Sequence, residues 1–299
     1  MLSQVFNSLC LWTHRTAHIW LTVVVTDGDP FSVGLVTALQ FVPMMLSAFG
    51  GGLGDRWNKR LVLLVSQIVA VAASLVLGVL SMTGSATLPL LGVMAVVLGL
   101  TAAVDAPVRL AFPREIVGQQ LLKSAIGLNG IVFQGARVVG PAVAGLVIVR
   151  WNESVGFFVA AGCGVVALLL LLLVASTPAR VAAEGVDVRW RTTLRFIRRE
   201  PALLSPLIGA VVVGACLSNL QVALPLILDR MPNAGAGDFG LLVATIGAGG
   251  ACGALTASVV RRGQTLLWLN LFLIAYALAT LVVAAMPTVA LMAVVIFTT

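Results

Sequence analysis

The sequence predicts an all-α, polytopic helical membrane protein, and three observations carry that prediction. Of its 299 residues, 60% are hydrophobic and 10% are charged, with a mean hydropathy of +1.09, far outside the composition of soluble domains. Apolar runs recur that reach the about 20 residues a helix needs to cross hydrocarbon. The runs are apolar throughout and do not alternate with period two, so helices that satisfy their own backbone fit them and a barrel does not.

The expected spans, in order, are 2–26, 31–52, 61–82, 88–108, 124–149, 155–176, 203–228, 238–260 and 265–286, followed by a short run from Thr288. Charged residues mark most of the joints. Asp27 and Asp29 separate the first two spans, and Arg56, Lys59 and Arg60 the next pair. Arg109, Arg114 and Lys123 lie between the fourth and fifth spans, and Arg150 and Glu153 between the fifth and sixth. Asp229, Arg230 and Asp238 follow the seventh, and Arg261 and Arg262 the eighth. Linkers are short except 177–202, which divides an N-terminal six-helix bundle at 1–176 from a partial C-terminal bundle at 203–299.

The cations set the expected orientation. Of the 18 Lys and Arg residues, all but Arg15, Arg137, Arg150 and Arg230 fall in alternate linkers, the same ones each time. By the positive-inside rule those linkers and the N-terminus face the cytoplasm. The net charge of +7 is thus a topology signal, which removes most of the case for a nucleic-acid partner. In the long linker Trp190, Leu194 and Ile197 recur at helical spacing among five arginines. That pattern fits a short amphipathic helix on membrane lipid headgroups, and it equally fits a solvated basic linker.

Chemistry-bearing patterns are sparse. Cys10, Cys163, Cys216 and Cys252 sit in separate apolar runs, with neither zinc spacing nor a disulfide framework. No cofactor and no metal are expected. His14 and His18 share a helical face without an acidic or thiol companion, which favours polar lining over a metal site. HExxH, GxSxG and P-loop motifs are missing from the sequence, so an integral membrane enzyme or an ATP-driven pump has no residues to argue from. The first segment does not read as a cleavable leader.

Charges inside a bilayer are costly and usually face a partner or a cavity. Three arise here: Arg15 in span 1, Asp105 at the inner end of span 4 and Arg137 in the middle of span 5. With Gln4, Asn7, His14, Gln40, Asn129, Gln134, Asn219 and Gln221 they outline a polar path. Arg137 reads either as a cavity-facing charge or as structural glue bonded to carbonyls, and Asp105 is expected to pair with Arg56 or Arg109.

The joint after span 2 reads GGLGDRWNKR at 51–60. It resembles the loop 2–3 signature of the major facilitator superfamily, with Gly51, Leu53, Asp55, Arg56, Lys59 and Arg60 matching. Asn58 stands where that family usually has Gly, a position where a left-handed backbone is tolerated by Asn. Residues 3–21, SQVFNSLCLWTHRTAHIWL, DAPVRLAFPREIV at 105–117 and LNGIVFQGARVVGPAVAG at 128–145 resemble the macrolide- and siderophore-exporter branch of that superfamily. Gly127, Gly140, Pro141 and Gly145 fit a worn exporter-associated motif, with alanines at 136 and 144. The resemblance implies that this motif helps seal one side of the cavity; simple tight packing is the other reading. Echoes between GLVTA at Gly34 and GLLVA at Gly240 suit two parallel six-helix repeats.

The resemblance implies a major facilitator fold in a bacterial plasma membrane. It implies a secondary active exporter of a small amphipathic, drug- or siderophore-like molecule, working by alternating access with protons as the counter-ion. One departure stands against coupling through a membrane carboxylate: Ile19 occupies a position that is often Asp in that branch. The family has twelve spans, so nine and a stub raise the alternative of a C-terminally truncated, transport-inactive fragment.

Overall fold

The computed structural model describes residues 2–45, 58–173, 222–229, 231, 234–259, 275, 278, 279, 281–283, 286 and 288–298. Its helices are α1 (Leu2–Val25), α2 (Pro30–Met45), α3 (Lys59–Met82), α4 (Leu88–Arg150), α5 (Glu153–Leu172), α6 (Ala236–Val259) and α7 (Val289–Thr298), and residues 222–229 are helical as well. No strand occurs among the described residues. The protein is all-α, as its apolar runs predict. Gly51–Arg56, the 177–202 linker, Asn219 and Gln221 lie outside the described residues.

Side chains set the helix starts by accepting the orphan N–H groups of the first turn. Asp29 accepts from the Ser32 backbone N–H at 2.9 Å and from the Ser32 hydroxyl at 2.5 Å, with Pro30 opening α2 behind it. The tight turn before it places Asp27 at φ 49° and Gly28 at φ 72°. Asn152 caps α5 by accepting from Val155 N–H at 3.1 Å. At α6 the Gly235 N–H donates back to Asp238 at 3.0 Å, the reciprocal half of a capping box.

Asn58 departs from expectation. Its backbone is extended, at φ −62° and ψ 106°, and its side chain accepts from the N–H groups of Arg60 and Leu61. It caps α3. An N-cap needs extended backbone and a short acceptor side chain, so tolerance of left-handed geometry is not what suits Asn to this position.

The backbone is helical throughout Leu88–Arg150, where the cations at 109–123 suggested an interruption. Sixty-three residues in a straight helix would extend about 95 Å. Yet Leu91 and Ile148, from opposite ends of α4, share one buried cluster with Leu21 and Phe157. The element therefore runs out and back as two arms, 88–110 and 127–150, each long and apolar enough to cross a membrane. Helices 59–82, 153–172 and 236–253 meet the same criterion. The first arm runs antiparallel to α1, with Arg109 beside Gln4 and Leu91 beside Leu21. The second runs parallel to α1, with Gly140 beside Trp12 and Gly156 bridging Ile148 to Ala17.

Packing within α1–α5 uses small residues and short polar bonds. Gly164 of α5 lies against Val71 of α3 and Cys10 of α1. Ser3 donates to the Ala167 carbonyl at 2.9 Å, and Ser154 and Ser81 hydroxyls pair at 3.1 Å. Large apolar side chains such as Ile131, Leu146, Leu61 and Val79 are exposed on the outside of this packing, as a lipid-facing surface requires.

Candidate functional site

The polar residues of α1 divide between two faces, and the neighbouring helices decide what each face does. One face turns into the α1–α5 packing. There His14 is 4% exposed and His18 2%, with ring centroids 5.6 Å apart, and His14 lies edge-on to Phe157 at 5.3 Å. Ser74 donates its hydroxyl proton to the Ala70 carbonyl at 2.8 Å, so the 2.8 Å contact with His14 carries its proton on Nδ1 of the histidine. The sequence put His14 on the polar path; the structure places it between α1, α3 and α5 instead.

The other face holds Trp12 and Arg15. The Arg15 guanidinium carbon lies 4.0 Å from the Phe41 ring centroid of α2 and 5.5 Å from that of Trp12. Arg137, on the second arm of α4, approaches the same Trp12 ring at 5.5 Å, and Phe133, one helical turn earlier, meets Trp12 edge-on at 5.7 Å. Such cation–π contacts strengthen when water is excluded. Arg137 and Gln134 both turn toward α6: a Cβ on Gly250 would stand 3.9 Å from Arg137 Nη1 and 3.6 Å from Gln134 Nε2. Arg15 and Arg137 are thus brought to one indole, with Gln134 beside Arg137 on the side of α6. Gln40 is half-buried on α2, and Asn129 half-buried among mostly exposed residues of the second arm.

Near the start of α1 a second cluster forms. Arg109 donates from Nε and Nη2 to the two oxygens of Asp105 at 2.8 and 2.7 Å, a fork-on-fork pair. Its Nη1 donates to Gln4 at 3.0 Å and its Nη2 also to Asn7 at 3.2 Å. Only 13% of the Arg109 side chain and 19% of the Asp105 side chain are exposed. One guanidinium thus ties the first arm of α4 to α1. Of the two expected partners of Asp105, Arg109 is engaged, and Arg56 lies outside the described residues. Arg60 reaches across to donate to the Leu172 carbonyl at 2.8 Å, a cation on the carboxyl end of α5; its neighbour Lys59 opens α3.

The glycines of the span 5 motif separate into roles. Gly140 packs against α1, where a Cβ would stand 2.6 Å from that of Trp12. Gly145 and Gly240 of α6 meet backbone to backbone, and Gly240 also abuts the Pro141 carbonyl. Among the described residues, nothing lies within 4 Å of where a Gly127 Cβ would stand. Pro141 has no N–H to offer the Arg137 carbonyl, and Gly247 fits against that carbonyl, its Cβ position 2.9 Å away. Sequence reasoning missed Gly237, Gly240 and Gly247 as the partners of this motif. Small residues spaced three and four apart on one helix were the available signal.

These contacts join α4 and α6 most closely at one end. Toward Val25 the two are sealed by Gly145 against Gly240, Gly237 against Val149, and Trp20 stacked on Phe239 at 5.9 Å. Gly28 sits against Asp229 there, and Ile19, Val23, Val33, Leu224, Leu228 and Phe239 form one buried cluster across the junction. Toward Gln4 the backbone contact continues as far as Gly247 on the Arg137 carbonyl; beyond it, Gly250 meets only the side-chain tips of Gln134 and Arg137 among the described residues.

Comparison with known proteins agrees with this architecture. A family described as transmembrane secretion effector matches residues 1–299. The MFS-type transporter YfiS of Bacillus subtilis is 24% identical over 71% of this chain and 51% of its own length. The enterobactin exporter EntS of Salmonella typhimurium is 26% identical over 86% of this chain and 60% of its own. The staphyloferrin A transporter of Staphylococcus aureus is 24% identical over 54% of this chain and 41% of its own. The chain therefore spans roughly two-fifths to three-fifths of the length of these relatives. Among solved structures, a D-xylose–proton symporter superposes with TM-score 0.66 at 14% identity, covering 99% of this chain and 77% of that one. An inward-facing bacterial homologue of the lysosomal transporter Spinster gives 0.64 at 17%, covering 99% and 72%.

Proposed function

Because the chain belongs to the transmembrane secretion effector family of the major facilitator superfamily, we propose that it is the translocating part of a secondary exporter for an amphipathic small molecule. The observation that carries this reading is the one-ended seam. Helices α4 and α6 are locked glycine on glycine toward Val25 and, beyond Gly247, touch only through side-chain tips among the described residues, which suits a pathway closed at one end and open at the other. With cations concentrated on the N-terminal side, the positive-inside rule puts the open end in the cytoplasm. The conformation is then inward-open, ready to load cargo from the cell or the inner leaflet.

Two relatives are named as a staphyloferrin A transporter and an enterobactin exporter, which favours export and a siderophore-like cargo. Protons are the counter-ion this reading uses. Asp105, the carboxylate on the first arm of α4, is already neutralised by Arg109, so its part is to brace α1 against α4. The two sides of the 177–202 linker act as the two moving halves.

The test is transport by the chain reconstituted in liposomes under an imposed pH gradient, with a fluorescent amphiphile inside. Gradient-dependent efflux supports the proposal. Efflux indifferent to the gradient would sink proton coupling, and an absence of efflux from well-inserted protein would sink the exporter reading for this chain.

A further inference from the structure

Arg150 departs from the charge pattern that orients the rest of the chain. It closes α4 at the end facing Val25, and among the described residues it is the one Lys or Arg on that side. A cation at a helix carboxyl end offsets the macrodipole, which accounts for the charge but not for its surroundings. The Arg150 guanidinium carbon lies 5.5 Å from the Trp151 ring centroid, and Trp151 is 63% exposed. An indole at the boundary of a crossing segment belongs at the level of lipid headgroups.

Beneath this pair runs an apolar stripe. Val139, Leu146 and Arg150 recur at helical spacing and so share one face of the second arm. Val139 and Leu146 are both exposed, Leu146 at 70%. Beside the stripe, Val149 packs on Gly237 of α6, where a Cβ would stand 2.8 Å from its Cγ2. The stripe therefore borders the seam that Gly145 and Gly240 hold. An acyl chain along Leu146 would flank that seam and bring a lipid phosphate to the height of Arg150.

The protein itself leaves the Arg150 charge available. No ion pair with a described residue holds it. On the same side Asp29 accepts from Ser32, Asp238 accepts from the Gly235 N–H, and Asp229 lies against Gly28. Asp27 stands in the left-handed turn after α1. Glu153 occupies the first turn of α5, where the helix dipole favours it. A planar guanidinium matches the oxygens of a phosphodiester. A headgroup without an ammonium of its own presents the larger net charge, so an anionic lipid is favoured over a zwitterionic one.

We propose that Arg150, Trp151 and the stripe through Leu146 and Val139 form a docking site for an anionic phospholipid, such as phosphatidylglycerol, in the leaflet on the Val25 side. The phosphodiester sits on the guanidinium, the glycerol beside the indole, and one acyl chain along Leu146 and Val139. Lipid held there backs the α4–α6 seam where it is tightest and favours the conformation closed on that side. The site stands whether or not the chain exports a cargo.

The test is quenching of tryptophan fluorescence for the whole chain in phosphatidylcholine nanodiscs doped with brominated phosphatidylglycerol or brominated phosphatidylcholine. The chain has six tryptophans, so the quenching lost on Trp151→Phe is taken as the Trp151 signal. Brominated phosphatidylglycerol is expected to reach half-maximal quenching of Trp151 at about fivefold lower mole fraction, the scale of one cation near an anionic surface. Arg150→Gln should remove that preference, Arg150→Lys should keep most of it, and Leu146→Ser should weaken quenching by both lipids. Equal quenching by the two lipids in the wild type leaves Arg150 a helix-dipole role alone and overturns the site. So does a preference that survives Arg150→Gln, or quenching unchanged by Leu146→Ser. If Arg150→Gln fails to fold, the wild-type ranking decides alone. A preference abolished by millimolar glycerol 3-phosphate assigns the guanidinium to a soluble phosphate and overturns the lipid.

Discussion

Gly145 and Gly240 approach so closely that a Cβ on Gly240 would stand 2.7 Å from the Gly145 Cα. No side chain separates the second arm of α4 from α6 at this point. The contact exists because both positions lack a Cβ, the arrangement by which helices in lipid gain close van der Waals contact.

Substituting either position therefore acts on the seam itself. Gly240→Leu should destabilise the protein by about 1–3 kcal/mol, the usual cost of overpacking, and lower its thermal midpoint in detergent. Gly127→Leu, placed on the second arm of α4 where no described residue is near, should leave that midpoint within experimental scatter. Equal shifts for the two would refute a specific seam.

The Asp105–Arg109 pair should behave as a coupled unit. Breaking a largely buried pair leaves one charge unmatched, so Arg109→Gln and Asp105→Asn should each destabilise. In a double-mutant cycle their coupling should reach about 1–3 kcal/mol. A coupling near zero would mean that Gln4 and Asn7 alone hold the guanidinium.

Asp29 gives a pH prediction. Its carboxyl is held below the usual range by the Ser32 hydroxyl, then by the Ser32 backbone N–H. A depressed pKa means the cap's contribution is present above the unfolded-state value of about 3.9 and is lost as pH falls through the folded-state value. Protection of the Ser32 and Val33 amides, read as exchange relative to the intrinsic rate at each pH, should be high at neutral pH and fall in acid below that range. Asp29→Ala should show low protection throughout. Acid-independent protection in the wild type would be incompatible with this role.

Ser74 tests the buried face of α1. Ser74→Ala leaves the His14 Nδ1–H without its 2.8 Å partner and should cost about 1–3 kcal/mol of stability, read as a lower thermal midpoint. Arg137→Ala should instead reduce efflux while leaving membrane insertion intact. If Arg137→Ala exports like wild type, the role of Arg137 in the pathway is lost.

How much of this was legible in the sequence differs from residue to residue. The helical class and the crossing segments of α3, α4 and α5 follow from run length, because lipid leaves the backbone few alternatives. The Asp105–Arg109 pair was within reach because i, i+4 neighbours meet on any helix. The two faces of α1 were not legible, since Trp12, His14, Arg15 and His18 are close in sequence and only the packing of α3, α5 and α4 tells them apart. Continuous helix through 111–126 was hidden because cations there signal a cytoplasmic position without specifying backbone form. Asn58 reads in sequence as a substitute for Gly, and only its capping bonds show otherwise. Gly247 could be read only as one of several small residues at helical spacing, since its partner, the Arg137 carbonyl left without the Pro141 N–H, lies on another helix.

The seam between α4 and α6 also bears on timing. Backbone packed on backbone has no rotamers to adjust, and dispersion between such surfaces fades within about an ångström of separation. A junction of this kind cannot yield by degrees. It behaves as a snap fastener, so the two access states should exchange as discrete populations with a distinct barrier between them, and a continuum of half-open forms should be scarce.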